Sequence, residues 1–367
     1  MIKSILQLML LLLFVTANIS AQDSELNIFG YSDLLLKNDF NREVNGADVD
    51  EPITFSLLKS VIILSSEFSD NWDYTIQLEF SRDFSLGHDV GGEFSLFQSF
   101  FKYNHSRRLT ILGGKFITPF GKFNAIHDAS PTFVTVGAPG FFDDLFKDEF
   151  HFEGIPETAN LGIEGRTNTF EYSVFMGNGE GSNDLNFDAN DFKMFGSRMG
   201  ILTGRGLTFG FSFYRDKKMH QEEDEEGHGA EEEVEEEEEE EEHEAEGPVD
   251  VLAYGADVRF DLGDLDIRAE AVLSSVTENI GEHDENRDER FAFISFAYHL
   301  APKITPYVQY ELYDNLGGEL NFTQLSFGIT FKPVFQVSIK GEVRQRRFDG
   351  DEFGNATTVQ SAVSVLF

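Results

Sequence analysis

The sequence predicts an all-β fold, a transmembrane antiparallel β-barrel of about 16 strands. Apolar and polar residues alternate with period two along many segments, and tight turns alternate with longer connections along the chain. Most alternating segments are roughly ten to fifteen residues long, whereas strands of soluble sheets are usually about 5–6 residues. A tilted membrane strand needs about 9–11 residues within the bilayer. The strand length therefore favours a barrel with an apolar outside and a polar lumen over a soluble sandwich.

The chain begins with the pattern of a secretory signal peptide. Lys3 precedes an apolar run from Ile5 to Val15, and small residues follow up to Ala21. The run is shorter than the ~20 residues of a membrane-spanning helix. We therefore expect residues 1–21 to be a signal peptide and 22–367 to form the outer-membrane barrel. The chain has no cysteine, so disulfides do not contribute to the expected fold.

Alternation is clearest from Trp72 to Asp83, where aromatic and aliphatic residues occupy one face and polar residues the other. The second, fifth and eighth strands alternate least clearly. The predicted strands are 26–37, 52–68, 71–84, 93–105, 107–117, 158–167, 168–177, 190–203, 206–217, 248–261, 264–278, 288–301, 302–314, 320–332, 334–348 and 354–367.

Every second connection is tight and the others are mostly longer, which is the plan of bacterial outer-membrane barrels. An even number of strands places both termini at the short-turn, periplasmic rim. The chain ends on Phe367. A terminal aromatic residue on an alternating strand resembles the signal used by the outer-membrane barrel-assembly machinery, which we expect as a partner beside outer-membrane lipid.

Two short motifs resemble the phosphate-selective porin (O/P-type) family. One is GGKFITPFG at 113–121, where a strand enters the longest connection, 118–157, and the other is VFMGNG at 174–179. The resemblance implies a homotrimer of barrels in which the third long loop folds inward and narrows the pore. The alternative is an external lid that leaves the lumen open.

The loop 118–157 carries an amphipathic stretch with apolar residues between Phe141 and Phe146. Packed on the wall, it would present carboxylates to water, and charges at a narrowing set ion selectivity. The candidate pore-constriction residues are Lys115, Lys122, His127, Asp128, Asp143, Asp144 and Asp148.

The candidate lumen charges have both signs and form no continuous basic ladder. They are Glu79, Arg198, Asp257, Arg259, Arg268, Glu270, Lys340, Glu342 and Arg344. The chain has a net charge of −38, and removing the 18 acidic residues of 221–247 changes it to −20. This acidity excludes nucleic acid as an expected partner and favours cations or neutral solutes over phosphate.

Residues 219–247 form an acidic low-complexity segment that includes an unbroken glutamate run from Glu235 to Glu242. Such a run repels itself and is typical of a disordered extracellular loop. The segment contains candidate metal ligands at His220, His228 and His243, which with the surrounding carboxylates suit weak binding of divalent cations. A metal-capturing or surface-binding barrel is therefore the alternative function.

The sequence as a whole predicts a porin of a Gram-negative outer membrane that allows passive diffusion of small hydrophilic solutes or ions, leaning towards cations. An anion- or phosphate-selective pore is the weaker alternative. His127, Asp128 and Ser130 do not make a catalytic motif by adjacency, and the chain has neither Gly-x-Ser-x-Gly nor His-Glu-x-x-His. We expect no enzyme activity and no cofactor beyond loosely bound divalent cations.

Overall fold

The structure is a computed structural model. It describes residues 25–40, 42–44, 47–49, 53–81, 93–124, 133–136, 158–178, 192–204, 206–218, 246–280, 283–316, 321–349 and 355–367. The expected signal peptide, 1–21, and almost all of the acidic segment, 219–247, lie outside these residues. Within the described ranges, no helix has the length and apolar character needed to cross a membrane.

Sixteen strands form one closed antiparallel barrel, which confirms the predicted fold class. Each strand pairs with its neighbours in the chain, and the first pairs with the last. The strands of the barrel are β1 (Glu25–Phe40), β4 (Thr54–Ser69), β5 (Trp72–Ser81), β6 (Glu93–Ser106), β7 (Leu109–Ile117), β8 (Thr158–Arg166), β9 (Phe170–Gly177), β10 (Met194–Leu202), β11 (Leu207–Lys218), β12 (Glu246–Leu262), β13 (Leu265–Ile280), β14 (His283–Tyr298), β15 (Ile304–Leu316), β16 (Phe322–Val334), β17 (Val337–Phe348) and β18 (Ala356–Leu366).

Two further strands, β2 (Arg42–Val44) and β3 (Ala47–Val49), form a separate two-stranded sheet between β1 and β4. The sequence predicts a loop there, at 38–51. Three-residue strands are too short to produce a period-two signal, so the pattern gave no indication of this hairpin.

The barrel closes where β1 meets β18. Tyr31 is opposite Leu366, and the two strands remain paired as far as Phe40 and Thr357. Beyond the last paired residues, the amide of Gly30 donates to the carbonyl of Phe367 at 2.9 Å, and the amide of Phe367 donates back at 3.0 Å. Closure leaves no strand edge open, as the absence of water in a bilayer core requires.

The two faces of the wall are inverted relative to a soluble protein. On β5, Trp72, Tyr74 and Phe80 are exposed, whereas Gln77 and Glu79 are buried inside the barrel. The same distribution of exposed apolar and buried polar side chains recurs around the wall. An outside that is apolar and an inside that is polar are the properties of a barrel surrounded by lipid.

The three strands that alternate least clearly in the sequence do so for different reasons. In β4 an extra residue shifts the register with β1 between Asp33 and Leu34 and interrupts the period. In β7 the adjacent glycines Gly113 and Gly114 contribute no side chain to the pattern, and the register with β8 shifts there. The eighth barrel strand, β10, alternates regularly in burial. Its interior face carries glycines, which hide the pattern in the sequence.

Candidate functional site: the barrel interior

The segment that follows β7 lies inside the barrel. Residues 118–124 and 133–136, which we call the inner loop, place several aromatic and aliphatic side chains in the interior. The ring of Phe120 packs edge-on against that of Tyr214, with 6.4 Å between the ring centroids. The ring of Phe123 stacks on that of Phe133, with 4.9 Å between the centroids. Phe123 also contacts Phe293 at 5.1 Å. The inner loop is therefore packed against the wall formed by β11 and β14.

Hydrogen bonds attach the first part of the inner loop to β11 and β13. The amide of Gly121 donates to Ser212 Oγ at 2.9 Å. The amides of Lys122 and Phe123 both donate to Glu270 Oε2, at 3.0 and 2.9 Å. One buried carboxylate thus accepts two consecutive backbone amides, an arrangement that holds the loop close to the wall.

Gly121 allows this close approach. Its φ is 66°, a conformation that other residues adopt rarely. A Cβ at this position would lie 2.0 Å from Glu270 Oε1. Only glycine satisfies both the backbone conformation and the short distance to the carboxylate.

The second part of the inner loop attaches to a different sector of the wall. Thr330 Oγ1 on β16 donates to the carbonyl of Val134 at 2.5 Å, and the amide of Val136 donates to Glu342 Oε2 on β17 at 3.5 Å. β17 is four strands from β13 in the barrel order. The described parts of the inner loop therefore extend across the interior from one sector of the wall to another.

A buried ion-pair network lies beside the first attachment. Arg198 donates to both oxygens of Asp257 at 3.0 and 2.7 Å, and to Glu171 Oε1 at 2.7 Å. Lys122 of the inner loop reaches the same Glu171 oxygen at 3.3 Å. The bidentate geometry and the burial of Arg198 and Asp257 make this a strong, directional contact.

A small cavity of about 60 Å³ lies between the inner loop and the wall. Its polar lining comes from Lys122, Asp257, Arg259, Arg268 and Glu270. Arg268 and Arg259 are cross-strand neighbours. Both arginines pair with carboxylates. Arg268 donates twice to Asp266, at 3.1 and 2.7 Å, and the Arg259 guanidinium lies 3.3 Å from the Asp261 carboxylate.

The β17 sector carries a second polar network. Glu342 accepts from Arg344 at 3.0 Å and from Gln360 at 2.7 Å, besides its bonds to Tyr307 and the inner loop. Lys340 is almost fully buried on the same strand. The wall is thus lined by paired charges of both signs.

The structure places all nine of the expected lumen charges on the interior face of the barrel. Seven are buried there, and the other two, Arg259 and Arg268, line the cavity. Of the expected constriction residues, Lys122 lies in the inner loop. His127, Asp128, Asp143, Asp144 and Asp148 lie outside the described residues, as do the candidate metal ligands His220, His228 and His243.

Lys115 differs from expectation. It pairs with Ser99, whose hydroxyl meets that of the outward-facing Tyr74 at 2.8 Å. The next residue, Phe116, is buried in the interior. The register therefore puts Lys115 on the opposite face of the wall from Phe116, and the structure contradicts its assignment to the constriction.

Two groups of interior residues were not predicted from the sequence. Glu171 and Ser212 were not identified as contacts of the loop, because pairing across strands and loop contacts leave no mark in the alternation. The interior also holds an aromatic cluster that includes Phe100, Phe175, Phe291 and Phe322. Among the described residues, no group of three or more His, Cys, Asp or Glu side chains is arranged to hold a metal ion.

Comparison with known proteins supports the fold. No family model matches the chain. An uncharacterized protein of Aquifex aeolicus is 25% identical over 147 residues, which are 40% of this chain and 32% of that protein. The match therefore spans about a third of that relative.

Three solved structures share the fold over nearly the whole chain. An anion-selective porin from Comamonas acidovorans has a TM-score of 0.63 at 12% identity, covering 94% of this chain and 100% of that one. The outer membrane channel DcaP of Acinetobacter baumannii gives 0.63 at 12%, covering 95% and 99%. The trimer form of OmpT from Vibrio cholerae, an outer membrane protein, gives 0.59 at 10%, covering 94% and 99%. At these identities the likeness concerns the fold, which is that of outer-membrane porins.

Proposed function

We propose that the protein is a porin that allows passive diffusion of small hydrophilic solutes or ions across the outer membrane of a Gram-negative bacterium. The observation that carries the proposal is a closed barrel with a polar interior, across which the inner loop extends on hydrogen bonds to two sectors of the wall. A loop held in this way sets the size of the passage, and charges beside it select among ions. Transport by this route needs no catalytic group and no cofactor.

We further propose that the pore prefers cations. Among the charged side chains described as buried, ten are carboxylates and three are basic, which gives the interior an acidic character. The more accessible Lys122, Arg259 and Arg268 oppose this preference locally, and a dominant role for them would favour anions. Membership of the phosphate-selective porin family is a further proposal, and it rests on the two motifs at 113–121 and 174–179.

The assembly partners follow from the same proposal. The trimer form of OmpT from Vibrio cholerae, which has a similar fold, supports a homotrimer. Phe367 closes the barrel with its backbone while its ring is largely exposed on the outer face. The exposed ring supports our proposal that barrel-assembly machinery recognises the strand that ends in Phe367.

Permeation should depend on solute size. In vesicles that contain the folded protein, we expect small sugars to enter quickly and larger oligosaccharides to be excluded, because the inner loop limits the cross-section. Osmotic swelling rates with a series of neutral sugars provide the measurement. Equal rates for all sizes, or no swelling above that of empty vesicles, would contradict a pore narrowed by the loop.

Deleting residues 221–247 separates the proposed pore from the alternative of a capturing protein. The deletion removes 18 acidic residues, and we expect conductance to persist with a weaker cation preference, since the local field at the mouth is reduced. A planar-bilayer recording of the deletion variant measures both quantities. Complete loss of conductance from a folded variant would show that the segment belongs to the pore, and loss of divalent-cation binding by calorimetry with conductance intact would support an accessory capture role.

A further inference from the structure

A lysine lies on the outer face of the barrel near the middle of the membrane. Lys115 is opposite Ser99, four residues above the paired Tyr103 and Ile111. The ring centroid of Tyr103 lies 4.9 Å from that of Trp72, and such rings mark the boundary between membrane and water. At about 3.3 Å per residue and a tilt of about 40°, Lys115 is roughly 10 Å above this aromatic belt. The apolar band of a barrel is about 25 Å tall, so Lys115 lies well inside it.

The charge of Lys115 has no partner on its own barrel. Within the described part of the chain, no ion pair or hydrogen bond involves the Lys115 side chain. Exposed apolar residues lie on the same face, with Leu96 above it and Ile111 below. A charge on the lipid face at this depth is destabilising, because acyl chains cannot solvate it. We therefore expect another protein surface, rather than lipid, to cover this part of the wall.

Polar and small residues continue across the neighbouring strands of the same outer face. We call the outer face of β17, β18, β1 and β4–β7 the polar sector. The hydroxyls of Tyr74 and Ser99 lie 2.8 Å apart there, as do those of Ser32 and Ser60. Contacts between protein segments within membranes are enriched in small residues and hydroxyl groups. The other side of the barrel differs, since it exposes large apolar side chains such as Phe296 on β14.

The two ends of the polar sector differ in shape. At one end, the long side chain of Lys115 projects from β7. At the other end, Ser361 lies between the buried Gln360 and Ala362 and therefore faces outward. Its cross-strand partner is Gly341, where an added Cβ would meet nothing within 4 Å. A projecting side chain and an open position are complementary features on one chain.

The two ends also lie at similar heights. Lys115 is six residues from Leu109 at the short-turn end of its strand, and Ser361 is five residues from Leu366. Both are therefore roughly 13–15 Å above that rim along the barrel axis. Copies related by an axis along the membrane normal contact one another at equal heights. The complementary ends can therefore meet in a head-to-tail contact between identical chains.

We propose that the β5–β7 end of the polar sector packs against the β17–β18 end of a second copy of this chain. Lys115 would lie over Gly341 of the neighbouring copy, where the hydroxyl of Ser361 can accept a charge-assisted hydrogen bond. The same contact, repeated around an axis, closes a ring. The inference rests on the proposed homotrimer and assigns the residues of its interface.

Cross-linking of the full chain in membranes tests which faces meet. The chain has no cysteine, so introduced thiols are the only ones that react. The double variant Ser99→Cys, Ser361→Cys should give covalent oligomers with a short bismaleimide, and each single variant should give none. Ser197→Cys, Ser361→Cys is the matched control, because Ser197 lies between buried residues of β10 and faces outward beyond the polar sector. The control pair should remain uncross-linked.

Filling the open position tests the same contact by a second route. Gly341→Leu should abolish the oligomer band on semi-native electrophoresis, because the new side chain occupies the space that receives Lys115. Gly204→Leu is its control, since Gly204 also has nothing within 4 Å of an added Cβ but lies in a turn outside the polar sector. This variant should keep the oligomer band.

The outcomes separate the interface from the homotrimer itself. A wild type that migrates as a monomer would contradict both. An oligomeric wild type whose Ser99→Cys, Ser361→Cys variant does not cross-link would overturn the interface alone. Cross-linking of the Ser197→Cys control pair, or a folded Gly341→Leu variant that stays oligomeric, would also overturn the interface alone.

Discussion

Replacing Glu270 with alanine is expected to release the first part of the inner loop and to raise the single-channel conductance about twofold, because conductance follows the narrowest cross-section. The substitution removes the oxygen that accepts the amides of Lys122 and Phe123. Each buried amide left without its acceptor costs about 1–3 kcal/mol. Hydrogen exchange of the two amides should accelerate at least about tenfold, a conservative bound given that cost.

Two further variants test the anchoring role of Glu270 from the wall and from the loop. Glu270→Gln retains an oxygen that can accept both amides, so conductance and amide protection should stay near wild type. Gly121→Ala disrupts the same attachment from the loop side, since its Cβ would lie 2.0 Å from Glu270 Oε1. It should therefore reproduce the phenotype of Glu270→Ala. Wild-type amide protection in Glu270→Ala would show that the carboxylate does not hold the loop.

Replacing Arg198 with alanine is expected to reduce the free energy of unfolding by about 3–5 kcal/mol, because it leaves the buried carboxylate of Asp257 without its partner. Arg198 is 7% exposed and contacts both Asp257 and Glu171. The chain has one tryptophan, Trp72, which packs 4.9 Å from Tyr103 on the outer face. Its fluorescence reports unfolding by urea in lipid vesicles without any added probe.

The double variant Arg198→Ala, Asp257→Ala distinguishes a broken ion pair from a general loss of packing. Removing both partners should recover part of the stability lost in Arg198→Ala, since one unpaired carboxylate disappears. Arg198→Lys should fall between the wild type and alanine, because lysine cannot reproduce the bidentate contact. If the stability losses of the two single variants simply add in the double variant, Arg198 and Asp257 are not energetically coupled.

Much of the barrel could be predicted because its wall obeys one local rule. All sixteen predicted strands correspond to strands of the barrel, and their boundaries differ by a few residues. The alternation from Trp72 to Phe80 identified both faces of β5 correctly. The assignment of Lys115 to the constriction was wrong, because Leu112 and Phe116 are both buried in the interior and the same alternation places Lys115 on the outer face.

The contacts of the inner loop could not be predicted, because they join residues that are far apart in the chain. Glu270 was recognised as a lumen charge, but its bonds to residues 122 and 123 span almost 150 positions. The buried aromatic residues of the interior, such as Phe175 and Phe293, resemble lipid-facing residues in composition. Only the structure distinguishes an aromatic residue that packs on the inner loop from one that faces lipid.

Recording from the purified protein in a planar bilayer under a KCl gradient tests the proposed pore most directly. The proposal predicts discrete ohmic current steps and a zero-current potential of the sign that K⁺ selectivity produces. A potential of the opposite sign would mean that Lys122, Arg259 and Arg268 dominate the passage and that the pore prefers anions. The absence of current steps from correctly folded protein would contradict the assignment of this barrel as a porin.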